Sequence, residues 1–225
     1  MKVIKDNLVV SCQALEDEPL NSSFIMSRMA LAAEQAGAKG IRANGVVDIQ
    51  AIRDMVDLPV IGIIKAIYPN SDVYITPTLK EARRVCETGV EIVAMDATLR
   101  TRPKESLEKI VEVIKDEYPE VLLMADIATV EEAVYAEKIG FHFVGTTLHG
   151  YTKDTYGMDI AKDNFEFLRN VLESVSIPVI AEGKIDTPEK AKRVLELGAY
   201  SVVVGGAITR PQDIAKKFVD KIRGD

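Results

Sequence analysis

The chain has 225 residues and a mass of 24.7 kDa, with 47% hydrophobic and 28% charged residues, ordinary globular usage that excludes a disordered tail or charged linker. Its 28 basic and 35 acidic residues leave a net charge of −7 and a pI of about 5.1, which argues against nucleic acid or an anionic membrane surface as a general partner. The two cysteines, Cys12 and Cys86, each lie in an apolar run, so reduced cytoplasmic thiols are expected rather than a disulfide framework or a thiolate metal site. The first eight residues carry charge at Lys2, Lys5 and Asp6 and have no long apolar core, and no apolar run approaches about 18 residues. No signal peptide and no membrane span are therefore expected.

In chain order, the first apolar run covers residues 8–12. A segment of helical period follows over 22–36, with Met26, Met29, Ala30 and Ala33 on one face and Gly37 as its stop. The run 40–44 comes next, then a helix over about 47–55 and a third run over 60–64 that enters from Pro59. A helix over 79–87 precedes the run 92–95, and a helix over 104–117 precedes the run 121–125. A helix over 130–138, stopped by Gly140, leads into the run 141–145. The last two runs are 179–181, entered from Ile177-Pro178, and 201–204, and a final helix over 213–222 closes the chain.

Eight strand-like runs thus alternate with helices or helix-sized segments. Several of the runs are apolar throughout, which suits parallel strands covered by helices on the outside. Strict alternation implies right-handed parallel crossovers, and eight units in this length predict a single (β/α)₈ TIM barrel over 1–225, of the phosphate-binding type. No Pro/Ser/Gly-rich linker divides the chain.

In such a barrel the active site lies at the C-terminal ends of the strands. Those ends carry Ser11 and Gln13, Arg42 and Asn44, Lys65, Asp96 and Thr98, Asp126 and Thr129, then Thr146, Thr147 and His149, Glu182-Gly183-Lys184, and finally Gly205-Gly206. Core packing does not call for ionisable groups at one end of every strand, whereas a floor of catalytic and binding groups does. Lys65 leaves a buried apolar strand, a setting that lowers an amine's pKa and suits a general base, general acid or Schiff-base nucleophile. Its bland alternative is a salt bridge to Asp96 or Glu182. Glu182 should face Lys65 across the mouth, as a proton carrier or as half of a buried ion pair. Asp126 can orient Lys65 or Arg42, bind hydroxyls, or act as a structural hub, and Arg42 can hold a developing oxyanion. Gln13 offers only hydrogen bonds. Gly183 after the seventh run, Gly205-Gly206 after the eighth and Arg210 beyond them form the most specific pattern, that of a phosphate site. His142 is expected inside the sixth strand as a structural residue, and His149 on a polar loop that could cover the site. No metal spacing, P-loop or dinucleotide fingerprint occurs.

Six segments in this order carry a resemblance: Ser11-Cys12-Gln13-Ala14, Gly40-Ile41-Arg42-Ala43, Gly62-Ile63-Ile64-Lys65, Ala125-Asp126-Ile127-Ala128-Thr129, Gly145-Thr146-Thr147-Leu148 and Ala181-Glu182-Gly183-Lys184-Ile185. Over nearly the whole chain, from Val9 to about Arg210, the sequence resembles the N-acetylmannosamine-6-phosphate 2-epimerase family. The resemblance implies interconversion of N-acetylmannosamine 6-phosphate and N-acetylglucosamine 6-phosphate in bacterial sialic acid catabolism, without metal or nucleotide cofactor, by a cytoplasmic enzyme that forms homodimers. It implies Lys65 and Glu182 as the catalytic pair and Gln13, Arg42, Asp126 and Arg210 as substrate ligands; Thr147, Gly183, Gly205 and Gly206 complete the expected substrate site. The chemistry expected is removal and return of the C2 proton of the open-chain sugar through an enolate. A Schiff-base aldolase, a non-catalytic phosphosugar sensor and a metal-dependent pentose-phosphate epimerase are the rival readings.

Overall fold

The structure is a computed structural model and describes residues 2–224. Eight parallel strands close on themselves in chain order: β1 (Leu8–Cys12), β2 (Gly40–Asn44), β3 (Val60–Ile63), β4 (Ile92–Asp96), β5 (Leu122–Asp126), β6 (Phe143–Gly145), β7 (Val179–Ala181) and β8 (Ser201–Val204), with β8 paired back to β1. The helices are α1 (Ser23–Gln35), α2 (Val46–Arg53), α3 (Leu79–Cys86), α4 (Leu107–Glu117), α5 (Val130–Ile139), α6 (Lys162–Ser174), α7 (Pro188–Glu196), the single-turn α8 (Gly206–Thr209) and α9 (Pro211–Arg223). This is the expected (β/α)₈ barrel.

Each strand divides its side chains between two cores, because successive residues point to opposite faces. Val9, Ile61, Ile63, Ala94, Met124, Ile180 and Val203 fill the barrel interior. Their neighbours in sequence, such as Val10, Val93, Leu123 and Val202, pack outward against the helices. Burial on both faces is why the strands read as unbroken apolar runs. Gly62 marks how closely a helix approaches: a Cβ there would lie 2.6 Å from Val85 Cγ1 on α3.

Local chemistry sets the helix ends. The fourth helix starts at Leu107 and not at the expected position 104, because Ser106 caps it by accepting from the Lys109 N–H at 3.3 Å. At α5, Thr129 and Glu132 form a reciprocal capping box, and Gly140 closes the helix in the left-handed conformation (φ 96°). His142 lies just before β6 rather than inside it; its Nδ1 accepts from the Leu123 N–H at 2.9 Å and so ties β6 to β5.

The chain's last helix differs from the rest. No residue of α9 is buried, and its Phe218 and Ile222 are 68% and 83% exposed. Separately, an apolar groove of about 650 Å³ runs between α1 and α7, lined by Met29, Ala33, Ala191 and Leu195.

Candidate active site

Alternation along the strands decides what reaches the barrel mouth. From Val9 inward-facing positions step to Ser11 and Gln13, from Ile61 and Ile63 to Lys65, from Met124 to Asp126, from Ile180 to Glu182, and from Val203 to Gly205. Arg42 lies level with Ser11 and Ile61 in the ladder. A cavity of about 410 Å³ opens above these residues at the strands' C-terminal ends, within the usual size of small-molecule sites. Of the residues expected from sequence, Gln13, Arg42, Lys65, Thr147, Glu182, Gly183, Gly205, Gly206 and Arg210 line it. Asp126 does not line it; it lies fully buried behind Arg42.

Arg42, Asp126, Glu182 and Thr147 form a hydrogen-bonded network. Arg42 Nη2 donates to Asp126 Oδ2 at 2.5 Å, and Nη1 to Asp126 Oδ1 at 3.1 Å and to Glu182 Oε2 at 3.0 Å. Burial opposes the guanidinium charge, and Asp126 and Glu182 more than offset it, so Arg42 stays charged. With Nη1 and Nη2 both engaged by carboxylates, Arg42 orients the carboxylates before it can offer anything to a substrate. Thr147 Oγ1 lies 2.7 Å from Asp126 Oδ1 and 3.0 Å from Glu182 Oε2. Behind it, Thr146 Oγ1 donates to the Glu182 carbonyl at 2.7 Å and accepts from the Glu182 N–H at 2.9 Å, which fixes the end of β7. Gly145 makes room for this arrangement, since a Cβ there would meet Met124 Cε at 2.2 Å and Asp126 Oδ1 at 3.2 Å.

The two central ionisable groups are displaced toward each other. Burial pushes the Glu182 carboxyl above the ordinary glutamate value; Arg42 opposes that and Asp126 reinforces it. Burial likewise lowers the Lys65 ammonium, helped by Arg42 and Arg210 and opposed by Glu182 and Glu18. Both shifts favour the neutral forms and bring the pair closer to neutral pH.

The sequence-based alternative of an ion pair for Lys65 does not occur. Asp96 is taken by Arg100 Nη2 at 2.6 Å and by Thr98, and Glu182 by Arg42. The Lys65 backbone is instead fixed by its N–H to Asn44 Oδ1 at 2.8 Å and by a bridge to Ile75.

Gly183, Gly205, Gly206 and Arg210 also line the cavity. Gly183 has φ 100°, a left-handed conformation that suits glycine. His149 stays out of the cavity: its ring stacks on Phe167 at 3.7 Å and its Nδ1 lies 3.0 Å from the Ala128 carbonyl. The loop that carries it nevertheless contributes Tyr151, whose ring lies 5.5 Å from Lys184 Nζ. Sequence reasoning missed Tyr74, which lines the cavity because residues after Lys65 fold back over the barrel mouth. No strand end announces it. Burial first, then Asp126 and Asp96, keep its phenol protonated. Among the described residues, no group of three or more His, Cys, Asp or Glu side chains is arranged to hold a metal ion, and no helix is long and apolar enough to cross a membrane.

Comparison with known proteins bears on this geometry. A family model described as "Putative N-acetylmannosamine-6-phosphate epimerase" matches residues 26–224. A Listeria welshimeri protein carrying the corresponding 2-epimerase name is 58% identical over 223 residues, 99% of this chain and 94% of its own. A Lactiplantibacillus plantarum protein of the same name is 58% identical over 223 residues, 99% and 98% of the two chains. The solved structure of the N-acetylmannosamine-6-phosphate 2-epimerase from Clostridium perfringens superposes with a TM-score of 0.92 at 53% identity, covering 97% of this chain and 94% of that one.

Proposed function

The chain belongs to the N-acetylmannosamine-6-phosphate epimerase family, and from that premise we propose that it is an isomerase interconverting N-acetylmannosamine 6-phosphate and N-acetylglucosamine 6-phosphate. The observation that carries this reading is one cavity lined by Lys65 and Glu182 together with Gly183, Gly205, Gly206 and Arg210.

The two sugars differ only at C2. In the open-chain form C2 is α to the C1 aldehyde, so its proton is acidic enough to remove and the electron pair moves onto O1 as an enolate. In the proposed step one of Lys65 and Glu182 takes the C2 proton and the other returns one to the opposite face. Between them the pair holds one transferable proton: the deprotonated group is the base and the protonated group the donor. One turnover exchanges those two states, which is the arrangement required for the reverse direction, and exchange with water resets them. The opposing shifts draw the two titrations toward each other. Arg42, charged and held by Asp126, orients Glu182. Gln13 and Thr147 are assigned to the sugar, and the glycines and Arg210 to its phosphate.

Proton NMR of the protein with N-acetylmannosamine 6-phosphate in D₂O tests this. Conversion to the gluco epimer with loss of the C2 proton signal, abolished in Lys65→Ala, is the expected result. Product without label at C2 would refute exchange through this enolate, and an adduct trapped by borohydride would instead assign Lys65 to Schiff-base chemistry. We place the reaction in the cytoplasmic catabolism of sialic acid and related amino sugars. We also assign the assembly as a homodimer, in which a second copy covers the exposed apolar face of α9 and the groove between α1 and α7. Light scattering should then give about twice the chain mass.

A further inference from the structure

Arg210 stands at the junction of α8 and α9, and it is held from behind. Its Nε donates to Glu18 Oε1 at 2.6 Å. Glu18, on the loop after β1, is itself pinned, because its Oε2 accepts from the Leu15 N–H at 2.9 Å. The terminal nitrogens of Arg210 have no partner among the described residues, and Nη1 lies 3.5 Å from where a Cβ on Gly206 would sit. The ion pair is largely shielded, with the Arg210 and Glu18 side chains 28% and 18% exposed.

We propose that Glu18 is a positioning residue for Arg210, holding the guanidinium by its Nε edge so that both terminal nitrogens face the substrate phosphate. The inference rests on the reading of this cavity as a sugar-phosphate site. An arginine has several rotatable bonds, and ordering it before the ligand arrives removes that cost from the binding step. A terminal pair of guanidinium nitrogens is the edge that meets a phosphate in bidentate fashion. Glu18 also brings a negative charge near the place of a dianion and within electrostatic reach of Lys65. Charge alone would make Glu18 weaken phosphate binding, whereas positioning makes it strengthen binding. The two effects have opposite signs, so substitution separates them.

The experiment compares Glu18→Ala and Glu18→Gln with the unaltered protein, reading KM and kcat for the sugar phosphate and the Kd of inorganic phosphate by calorimetry. A glutamine oxygen still accepts from Nε without the charge. Glu18→Ala is expected to raise both KM and Kd by about tenfold, the scale of one lost charge-assisted hydrogen bond, with kcat within about twofold. Glu18→Gln should stay within about twofold in all three. Adding Glu18→Ala to Arg210→Ala should cause no further loss. Tighter or unchanged phosphate binding in Glu18→Ala, a glutamine variant as weak as alanine, or a loss confined to kcat would each overturn the proposal. Calorimetry needs no turnover: the expected phosphate pattern in a protein that epimerises nothing would uphold Glu18 and refute the epimerase reading.

Discussion

Two sets of polar groups around the cavity are built differently. In the first, carried by β2, β5, β6 and β7, the groups are tied to one another: Arg42 to Asp126 and Glu182, Thr147 to both carboxylates, and Thr146 to the backbone of Glu182. In the second, after β3 and β8, Lys65 makes no ion pair and Arg210 is held by one nitrogen only, among the described residues. The first set is preorganised and carries a fixed electrostatic field, which suits groups that must hold a proton at a set position. The second leaves the Lys65 ammonium and the terminal nitrogens of Arg210 for an incoming anion. Substitutions in the two sets should therefore fail in different ways.

The largest effect should come from the proton carrier itself. Glu182→Gln keeps the shape and removes the proton carrier, and kcat is expected to fall by about 10²–10⁴, the range for a general acid or base. A loss of KM alone, with kcat kept, would move Glu182 to a purely binding role. Next is the rest of the first set. Asp126→Asn strips a charge partner from a fully buried guanidinium, and breaking such a pair costs about 3–5 kcal/mol. The variant should unfold at clearly lower urea, and its activity should drop because Glu182 loses its orientation. Unchanged stability would show that the network is not the rigid element described above. In the second set, Arg210→Ala should leave the unfolding midpoint nearly unchanged and raise KM by about 10–100-fold, the value of a hydrogen bond to a charged group. A comparable drop in kcat would erase the contrast between the sets. The smallest effect concerns pH. The carboxyl of Glu182 is raised and the ammonium of Lys65 lowered, so a bell-shaped kcat profile should fall off on its alkaline limb below the ordinary lysine value of 10.5. The limbs belong to the pair rather than to either group. A basic limb at or above that value would place Lys65 in a solvent-like setting.

Much of this was legible in the order of residues, and the reason is local. Val60 to Ile63 or Leu122 to Asp126 are recognisable as buried parallel strands because both of their faces are covered, so nearly every position must be apolar. A charged residue directly after such a run, as at Lys65 or Glu182, is conspicuous for the same reason. Gly140 marks a helix end by the conformational preference of a single residue.

Pairing could not be read in this way. Whether Lys65 pairs with Asp96 depends on Arg100, which reaches Asp96 from the following loop. Whether Asp126 touches the cavity or hides behind Arg42 depends on side-chain reach across strands that are 84 residues apart in sequence. Tyr74 enters the site only because the loop after Lys65 folds back over the barrel mouth. His149, on a loop that promised a lid, is instead spent on Phe167 and Ala128. The sequence by itself determined the barrel and most of the groups at its mouth, because burial and strand period act on each segment separately. Tertiary structure decided which of those groups are paired and which are free, because charges compete for partners across strands, and that competition is settled only once the strands are side by side.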